Sequence, residues 1–366
     1  MKVLHCGSIN VKTGGPALSI SLSMKGARAE GINTEIWMPP LRNGGKVITE
    51  AFKYYTQDTV PLSSIKDVDI YHIQGLWQKN NHKMALYARK NHKPYIITLR
   101  GMLYPQAFIG LNSFKKKLAL FLYQKKDLQK AQCIQVTCEE EYKYYREMGF
   151  SNPVAIIPNP IETEGVLDEP IPNKEIFRFG FLGRLDPRKR VERLIYAFSD
   201  KRDLFKNAEL VIIGSWDQDY EAFLKKEAER LSLSNVIFTG FLSGKAKDDM
   251  IKSLSSLVVP SDFENFGNIV TEALVRGVPV IASKGMPWKV LEDYECGWWI
   301  SNDQKSINQA MVDFYNLSED ERITMGMNAK RLISEKFSLK ENGKQLSALY
   351  RWVAGQESAP TFVHFE

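Results

Sequence analysis

Short apolar runs recur along the first half of the chain, at 2–6, 34–38, 70–73, 95–99, 134–136 and 154–157. Between most of them lie stretches whose apolar positions repeat with helical spacing, notably 19–29, 81–91 and 113–130. That alternation predicts strands and helices in turn, and hence a parallel, doubly wound sheet. The second half repeats the rhythm with runs at 177–182, 210–213, 236–238, 256–259 and 278–282. Its longest helical stretch, 218–231, is thick with Lys and Glu and reads as a solvated outer face. Pro158-Asn159-Pro160, followed by the acidic, proline-bearing 161–174, marks a crossing between domains. The pattern therefore predicts an α/β chain of two Rossmann-like domains, 1–158 and 159–338, with a closing helix at 339–354. Residues 355–366 form a tail without usable periodicity. Sheets of this kind bind ligands outside the carboxyl ends of their strands.

The stretch richest in chemistry is Ser261-Asp-Phe-Glu-Asn-Phe-Gly-Asn-Ile-Val-Thr-Glu-Ala-Leu-Val-Arg-Gly-Val-Pro-Val-Ile-Ala-Ser283. A buried strand runs into a polar loop, and the loop opens a short helix that ends at Gly277. On one continuous helix Glu264 and Glu272 would share a face. Gly267 intervenes, so Glu264 is expected in the loop and Glu272 about a turn into the helix. The N–H groups of Phe266, Gly267, Asn268 and Ile269 then point at one spot, which suits a phosphate. One carboxylate is left on each side for a sugar hydroxyl, which describes a nucleotide-sugar site. The bland account is an exposed acidic pair at a helix start, where acids are favoured anyway.

A second cluster is Phe179-Gly-Phe-Leu-Gly-Arg-Leu-Asp-Pro-Arg-Lys-Arg190. An apolar strand stops at Gly183 and cations crowd in before a helix begins near Val191. Arg184 offers a planar fork to phosphate oxygens and Lys189 a mobile point charge. Arg188 and Arg190 read equally well as solvating a helix start. Gly214, ending Val211-Ile-Ile-Gly, and Gly240, in Thr239-Gly-Phe-Leu, would let backbone come close to a nucleotide.

These residues resemble the E-x7-E signature of the family-4 retaining glycosyltransferases, enzymes of the two-domain GT-B architecture whose domains face a cleft. The resemblance implies that Glu264 works on the donor sugar and Glu272 holds the ribose. It places Arg184 and Lys189 at the family's G-R-x4-K positions, which grip the donor's phosphates, with Arg190 where a glycine is usual. It makes Gly240 and Phe241 base-site candidates. Gly14 and Gly15, in Thr13-Gly-Gly-Pro16 after the first strand, match a glycine pair that faces the donor phosphates. On its own that pair needs no more than a tight turn with positive φ. It is not a G-x-G-x-x-G fingerprint, which argues against a nicotinamide dehydrogenase.

The chain departs from the family at Leu99-Arg100-Gly101-Met102-Leu103, where many members carry a histidine before the glycine. Arg100 stays protonated and cannot act as a base. It can stabilise charge on a leaving phosphate or hold an acidic or phosphorylated acceptor. The Arg-Gly-Met-Leu form looks like a branch found in bacterial surface-polysaccharide assembly. His72 is the other candidate imidazole, although a lone histidine at a strand end is more often structural.

Composition narrows the partners. A chain of 366 residues with 44% hydrophobic content can bury two cores, and its formal charge of +6 favours an anionic partner. Four scattered cysteines, Cys6, Cys133, Cys138 and Cys296, show no metal-ligand pairing and fit reduced thiols. The first residues read as a strand and not as a signal peptide, and no apolar run is long enough to span a bilayer. Lys115, Lys116, Lys117, Lys125 and Lys126 punctuate a stretch holding Phe114, Leu118, Leu120, Phe121 and Leu122. Such a basic amphipathic helix can lie on anionic lipid, or it can pack on the sheet with solvated lysines. Asp217-Gln-Asp219 precedes an outer helix and makes a poor metal carrier.

With the resemblance, the expectation is a metal-independent retaining hexosyltransferase without a cofactor beyond its UDP- or GDP-sugar donor. Its acceptor is expected to be a glycan or a polyprenyl-diphosphate-linked sugar in O-antigen- or capsule-like surface-polysaccharide assembly, and nucleic acid is not an expected partner. The expected location is cytoplasmic, at the inner face of the cytoplasmic membrane. The alternatives are a GT-B-fold UDP-sugar epimerase, which converts its substrate without an acceptor, and a nucleotide-sugar-binding subunit without transfer activity, for which Arg100 argues.

Overall fold

The computed structural model describes residues 1–42, 44–49, 51–109, 113–171 and 173–365. The chain divides into two compact units, one formed by Met1–Glu162 with Lys336–Glu366, the other by Thr163–Glu335. The breaks expected from sequence, 158/159 and 338/339, fall a few residues from these.

The first unit carries β1 (Lys2–Cys6), β2 (Asn33–Met38), β3 (Tyr54–Thr56), β4 (Ile70–Gln74), β5 (Tyr95–Thr98), β6 (Cys133–Val136) and β7 (Val154–Ile156). The second carries β8 (Phe177–Leu182), β9 (Ala208–Ile213), β10 (Val236–Gly240), β11 (Ser256–Val259), β12 (Val280–Ser283) and β13 (Gly297–Ile300). β14 (Val363–His364) returns to the first unit. The sheet orders are β14-β7-β6-β5-β4-β1-β2-β3 and β10-β9-β8-β11-β12-β13. Every pairing is parallel except β14 with β7. In each sheet the strand order reverses once, between β1 and β4 and between β8 and β11. These are the topological switch points at which open α/β sheets take ligands.

Burial explains the near-continuous apolar runs. β4, β11 and β12 are buried along their whole length, as expected of parallel strands covered on both faces. Alternate strand residues feed different cores because successive side chains point to opposite faces. Leu4, Ile73, Ile97 and Ile134 pack into one cluster of the first unit. Val3, Ile70, Ile96 and Cys133 pack into another with Leu346, Leu349 and Tyr350 of the helix Leu339–Val353. That closing helix also meets the helix Gly15–Ala29. The two backbones approach at glycines, since a Cβ on Gly26 would lie 2.8 Å from the Leu339 carbonyl oxygen. The second unit's core includes Phe179, Phe181, Leu210, Ile212, Val258 and Ile281.

Four elements differ from the sequence expectation. The stretch expected as one helix over 113–130 is Ser113–Ala119, a wider π-helical turn at Leu120–Gln124, and Lys125–Gln129. The tail without periodicity supplies β14, two residues that pair Val363 with Ala155 and His364 with Val154. β3, at Tyr54–Thr56, follows no expected run. β13, at Gly297–Ile300, likewise follows no expected run, and all three missed strands are edge strands of two to four residues, too short to show alternation.

Candidate functional site

In the second unit, the loops after β8 and β11 meet at the switch point. β8 ends at Leu182, and Gly183 follows at φ +149°. Asp186 then caps a turn at Pro187–Lys189, accepting from the Arg188 amide at 3.0 Å. The Asp262 amide donates to the Arg188 carbonyl at 2.9 Å, which ties the β11 loop to the β8 loop. The side chains repeat the tie: Arg190 Nε reaches Asp262 Oδ2 at 2.5 Å. Lys189 is thereby placed against Glu264, their charged groups in direct contact. Ser261 Oγ lies 3.4 Å from the same carboxylate.

The loop around Glu264 is supported from below by the segment after β12. Glu264 donates its amide to the Gly285 carbonyl at 2.9 Å. Gly285 has no room for a side chain, because a Cβ there would lie 2.5 Å from the Ser261 carbonyl oxygen. Trp288 Nε1 donates to the Phe266 carbonyl at 2.5 Å, and the two rings pack at 5.2 Å between centroids. Gly267, at φ +79°, then caps the helix Asn268–Leu274. A Cβ on Gly267 would lie 2.5 Å from the Met286 methyl, so this position needs glycine twice over. Asn268 and Ile269 open the helix, whose first amides have no acceptor within the helix itself. Glu264 thus lies in the loop and Glu272 about a turn into the helix. Glu272 is held by Lys247, on the helix Gly244–Ser253, at 2.5 Å.

Charge is concentrated on the β8 loop. Arg188 grips Asp186 with two N–H groups at 2.9 and 3.0 Å, which lowers the Asp186 carboxyl to about 2. Burial, joined by Arg184 and Arg188, pulls the Lys189 ammonium down to about 8, while Asp186 opposes the shift. The Glu264 carboxylate in contact with it works in the same direction as Asp186. The Arg184 guanidinium lies over the Trp216 ring, 4.9 Å from its centroid, and among the described residues forms no ion pair. Trp216 and Phe241 are exposed, at 65% and 76%, beyond the ends of β9 and β10. Gly214 and Gly240 close those strands, and the Gly214 amide donates to the Gly240 carbonyl at 2.9 Å. A Cβ on Gly214 would fall inside the Gly183 carbonyl. Glycine at 214 is therefore demanded by the packing of the β8 and β9 ends. Asp217 is a helix cap, accepting from Asp219 and Tyr220 at 3.1 Å.

In the first unit, Gly14 sits at φ +71° before the helix Gly15–Ala29, with open space where a side chain would be. Arg100 follows β5 in the left-handed region, at φ +53°. Its Nε and Nη2 donate to Gln74 Oε1 at 3.0 and 2.7 Å. Burial lowers its guanidinium to about 10, against the pull of Glu141. Glu141 accepts from the Gly101 amide and, at 2.9 Å, from the Thr137 amide, which fixes the Arg100–Gly101 turn. His72 is fully enclosed, bonded to Tyr350 and Thr98 at 2.7 Å each. Burial, with His5 and Arg100 nearby, holds its pKa well below the ordinary value, so it is a neutral structural histidine.

Residues 168–332 match the family model described as glycosyl transferases group 1. The match fills most of the second unit, which is therefore similar to group 1 glycosyltransferases. An uncharacterized glycosyltransferase of Methanocaldococcus jannaschii is 29% identical over 257 residues, covering 69% of this chain and 67% of that protein. A GDP-mannose-dependent alpha-mannosyltransferase of Mycolicibacterium smegmatis is 38% identical over 107 residues, 28% of this chain and 24% of that one. The chain thus spans about a quarter to two thirds of the length of these curated relatives. Among solved structures, sucrose-phosphate synthase of Thermosynechococcus elongatus superposes with a TM-score of 0.78 at 17% identity, covering 98% of this chain and all of that one. Anabaena HepE in complex with UDP and glucose gives 0.73 at 17% identity, covering 95% and 98%. Two Rossmann-like units with these sheets constitute the GT-B fold.

In the second unit the structure gathers Lys189 and Glu264, which lie 75 positions apart, with Arg184 as a neighbouring charge. Glu272 has a different cation, Lys247. Arg188 and Arg190, which read equally well as loose charge at a helix start, tie the loops together. Sequence reasoning missed Lys247, Trp216, Gly285 and Glu141. Trp216 carried a signal, a large aromatic two residues past a strand-ending glycine. Lys247 and Glu141 carried none, because each is one charge among several on an ordinary helix.

Proposed function

We propose that the chain is a retaining hexosyltransferase that moves a hexose from a UDP- or GDP-sugar to a glycan or polyprenyl-diphosphate-linked acceptor during surface-polysaccharide assembly. The observation that carries this reading is the Lys189–Glu264 contact at the β8/β11 switch point, with Arg184 beside it. A cation and a carboxylate in contact there can serve a diphosphate and a sugar hydroxyl side by side. Arg184 and Lys189 would neutralise the charge that grows on the diphosphate as the bond from the anomeric carbon to phosphate oxygen breaks. That task needs no metal ion. Glu264 would orient the sugar hydroxyls and Glu272 the ribose. Phe241 and the Gly240 backbone would border the base, and the amides of 266–269 would line the phosphates. The acceptor oxygen bonds the anomeric carbon on the face the phosphate leaves, and its proton passes to the departing phosphate. The relatives that act with GDP-mannose or bind UDP support a nucleotide donor.

The membrane part of the reading rests on side chains at 109–122 of the first unit. Phe121 is 83% and Phe114 74% exposed, with Ile109, Leu118 and Leu122 exposed beside them in sequence. Lys115, Lys116 and Lys117 in the same stretch, with Lys125 and Lys126 just after it, supply charge for an anionic leaflet. No helix among the described residues is long and apolar enough to cross a membrane. The residues 110–112 of this stretch lie outside the described set.

A thermal-shift screen across UDP- and GDP-sugars, followed by detection of nucleotide release with candidate acceptors, tests the reading. A bound donor raises the melting midpoint by mass action. A chain stabilised by none of these donors would refute it. Product appearing from the donor without any acceptor would favour an epimerase.

A further inference from the structure

At the carboxyl end of the first sheet, a guanidinium is held by a neutral amide where a carboxylate would ordinarily hold it. Gln74 ends β4 beside the β1/β4 switch point, and its Oε1 accepts from both Nε and Nη2 of Arg100. Arg100 Nη1 reaches Asn159 Oδ1 at 3.5 Å. The orientation of the Gln74 amide is fixed from its other side, where its nitrogen meets His5 Nδ1 at 3.1 Å. Were the amide reversed, a donor would face the guanidinium's donors. Gly7 makes room for this arrangement, since a Cβ there would lie 2.9 Å from the Gln74 Cβ.

The surrounding groups leave the charge on Arg100 uncancelled by any direct pair. His5 is kept neutral by burial and by Arg100 itself, its pKa lowered to about 3. The nearby carboxylate is Glu141, whose oxygens accept from the Gly101 and Thr137 amides. Among the described residues it forms no ion pair with Arg100. A guanidinium has five N–H groups. Among the described residues three are engaged, so two remain for a ligand. A preoriented guanidinium with unused donors recognises the paired oxygens of phosphate or carboxylate.

We propose that Arg100, oriented by Gln74, is an oxyanion site of the first unit that takes a phosphate or carboxylate group of a substrate, an assignment that rests on the glycosyltransferase reading above. Gln74 is a positioning residue: it aims the fork without cancelling its charge.

The test uses inorganic phosphate as the probe, titrated calorimetrically into the full chain carrying Arg184→Ala and Lys189→Ala. Those substitutions disable the cationic loop of the second unit. Phosphate binding should persist, and adding Arg100→Gln should weaken it at least tenfold. Gln74→Glu should do the same while leaving the arginine in place, because a carboxylate then neutralises it. Arg100→Lys keeps the charge without the fork and should fall between, and unchanged circular dichroism certifies the fold of each variant. Phosphate affinity unaltered in both Arg100→Gln and Gln74→Glu, or no phosphate binding in the parent variant, overturns the proposal.

A second arm measures UDP and GDP in the chain with Arg184 and Lys189 intact. A tenfold loss on Arg100→Gln assigns the anion to the nucleotide. Unchanged nucleotide affinity together with lost phosphate binding assigns it to the acceptor. Failure of the glycosyltransferase reading shows separately, as absence of UDP and GDP binding by the unsubstituted chain, and leaves the phosphate result standing.

Discussion

Replacing Lys189 with methionine keeps the length and apolar stem of the side chain and removes only its ammonium. The ammonium touches Glu264, and the two side chains are 14% and 18% exposed. Its loss leaves a poorly hydrated carboxylate with Ser261 Oγ at 3.4 Å. It also relieves repulsion from Arg184 and Arg188. These effects oppose each other, and a net loss of about 1–2 kcal/mol is expected for a partly exposed pair broken on one side. For a unit of this size that lowers the melting midpoint by roughly 2–8 °C. The effect on turnover should be much larger. A donor facing the diphosphate as its charge develops contributes about 2.7–4 kcal/mol to the transition state, so the rate should fall about 10²–10³-fold. The assay is nucleotide release, with the donor that gives the largest thermal shift, alongside the melting midpoint. A variant that melts earlier yet turns over within threefold of the parent would show the pair to be structural and remove Lys189 from the chemistry.

Glu264→Ala should cut turnover at least a hundredfold without unfolding the second unit, read by the same assay with circular dichroism. Because Lys189 is pulled down to about 8, UDP or GDP affinity should hold below pH 8 and weaken above it, up to about tenfold by pH 9. Lys189→Arg should flatten that profile in calorimetry. With the folded pKa below the unfolded 10.5, the unfolded chain binds more protons from about pH 8 to 10.5. This group therefore makes stability rise with pH across that window. Gly214→Ala forces a Cβ into the Gly183 carbonyl at φ +140° and should cost about 3 kcal/mol, or about 10 °C in melting midpoint; a melt unchanged within 2 °C would contradict the close packing of these strand ends. In flotation with phosphatidylglycerol vesicles, Phe121→Ser with Leu122→Ser should abolish an association that phosphatidylcholine vesicles do not support, since each exposed apolar side chain adds about 1.5–3 kcal/mol of transfer free energy. Equal flotation of parent and variant would dismiss the patch as a membrane contact.

The alternation of apolar runs with helical stretches was enough to give two Rossmann-like sheets, because buried parallel strands must be apolar on both faces. Glu264 in a loop and Glu272 in the following helix were legible for a local reason, Gly267 standing between them. What the sequence left open depends on contacts between distant segments. Lys189 could meet Glu264 only because the β8 and β11 strands are neighbours across a reversal of strand order, and because the Asp262 amide reaches the Arg188 carbonyl. Arg190, which looked like loose charge, became a tie for the same reason. Gly214 read as room for a nucleotide, and the fold adds a separate demand for glycine there, since a Cβ would meet the Gly183 carbonyl. Gln74 drew no reading from sequence, and it gains a role only because β1 and β5 bring His5 and Arg100 to either side of its amide. Periodicity records which way each side chain faces. Which charges face one another is decided by strand order and register, through hydrogen bonds between residues tens of positions apart.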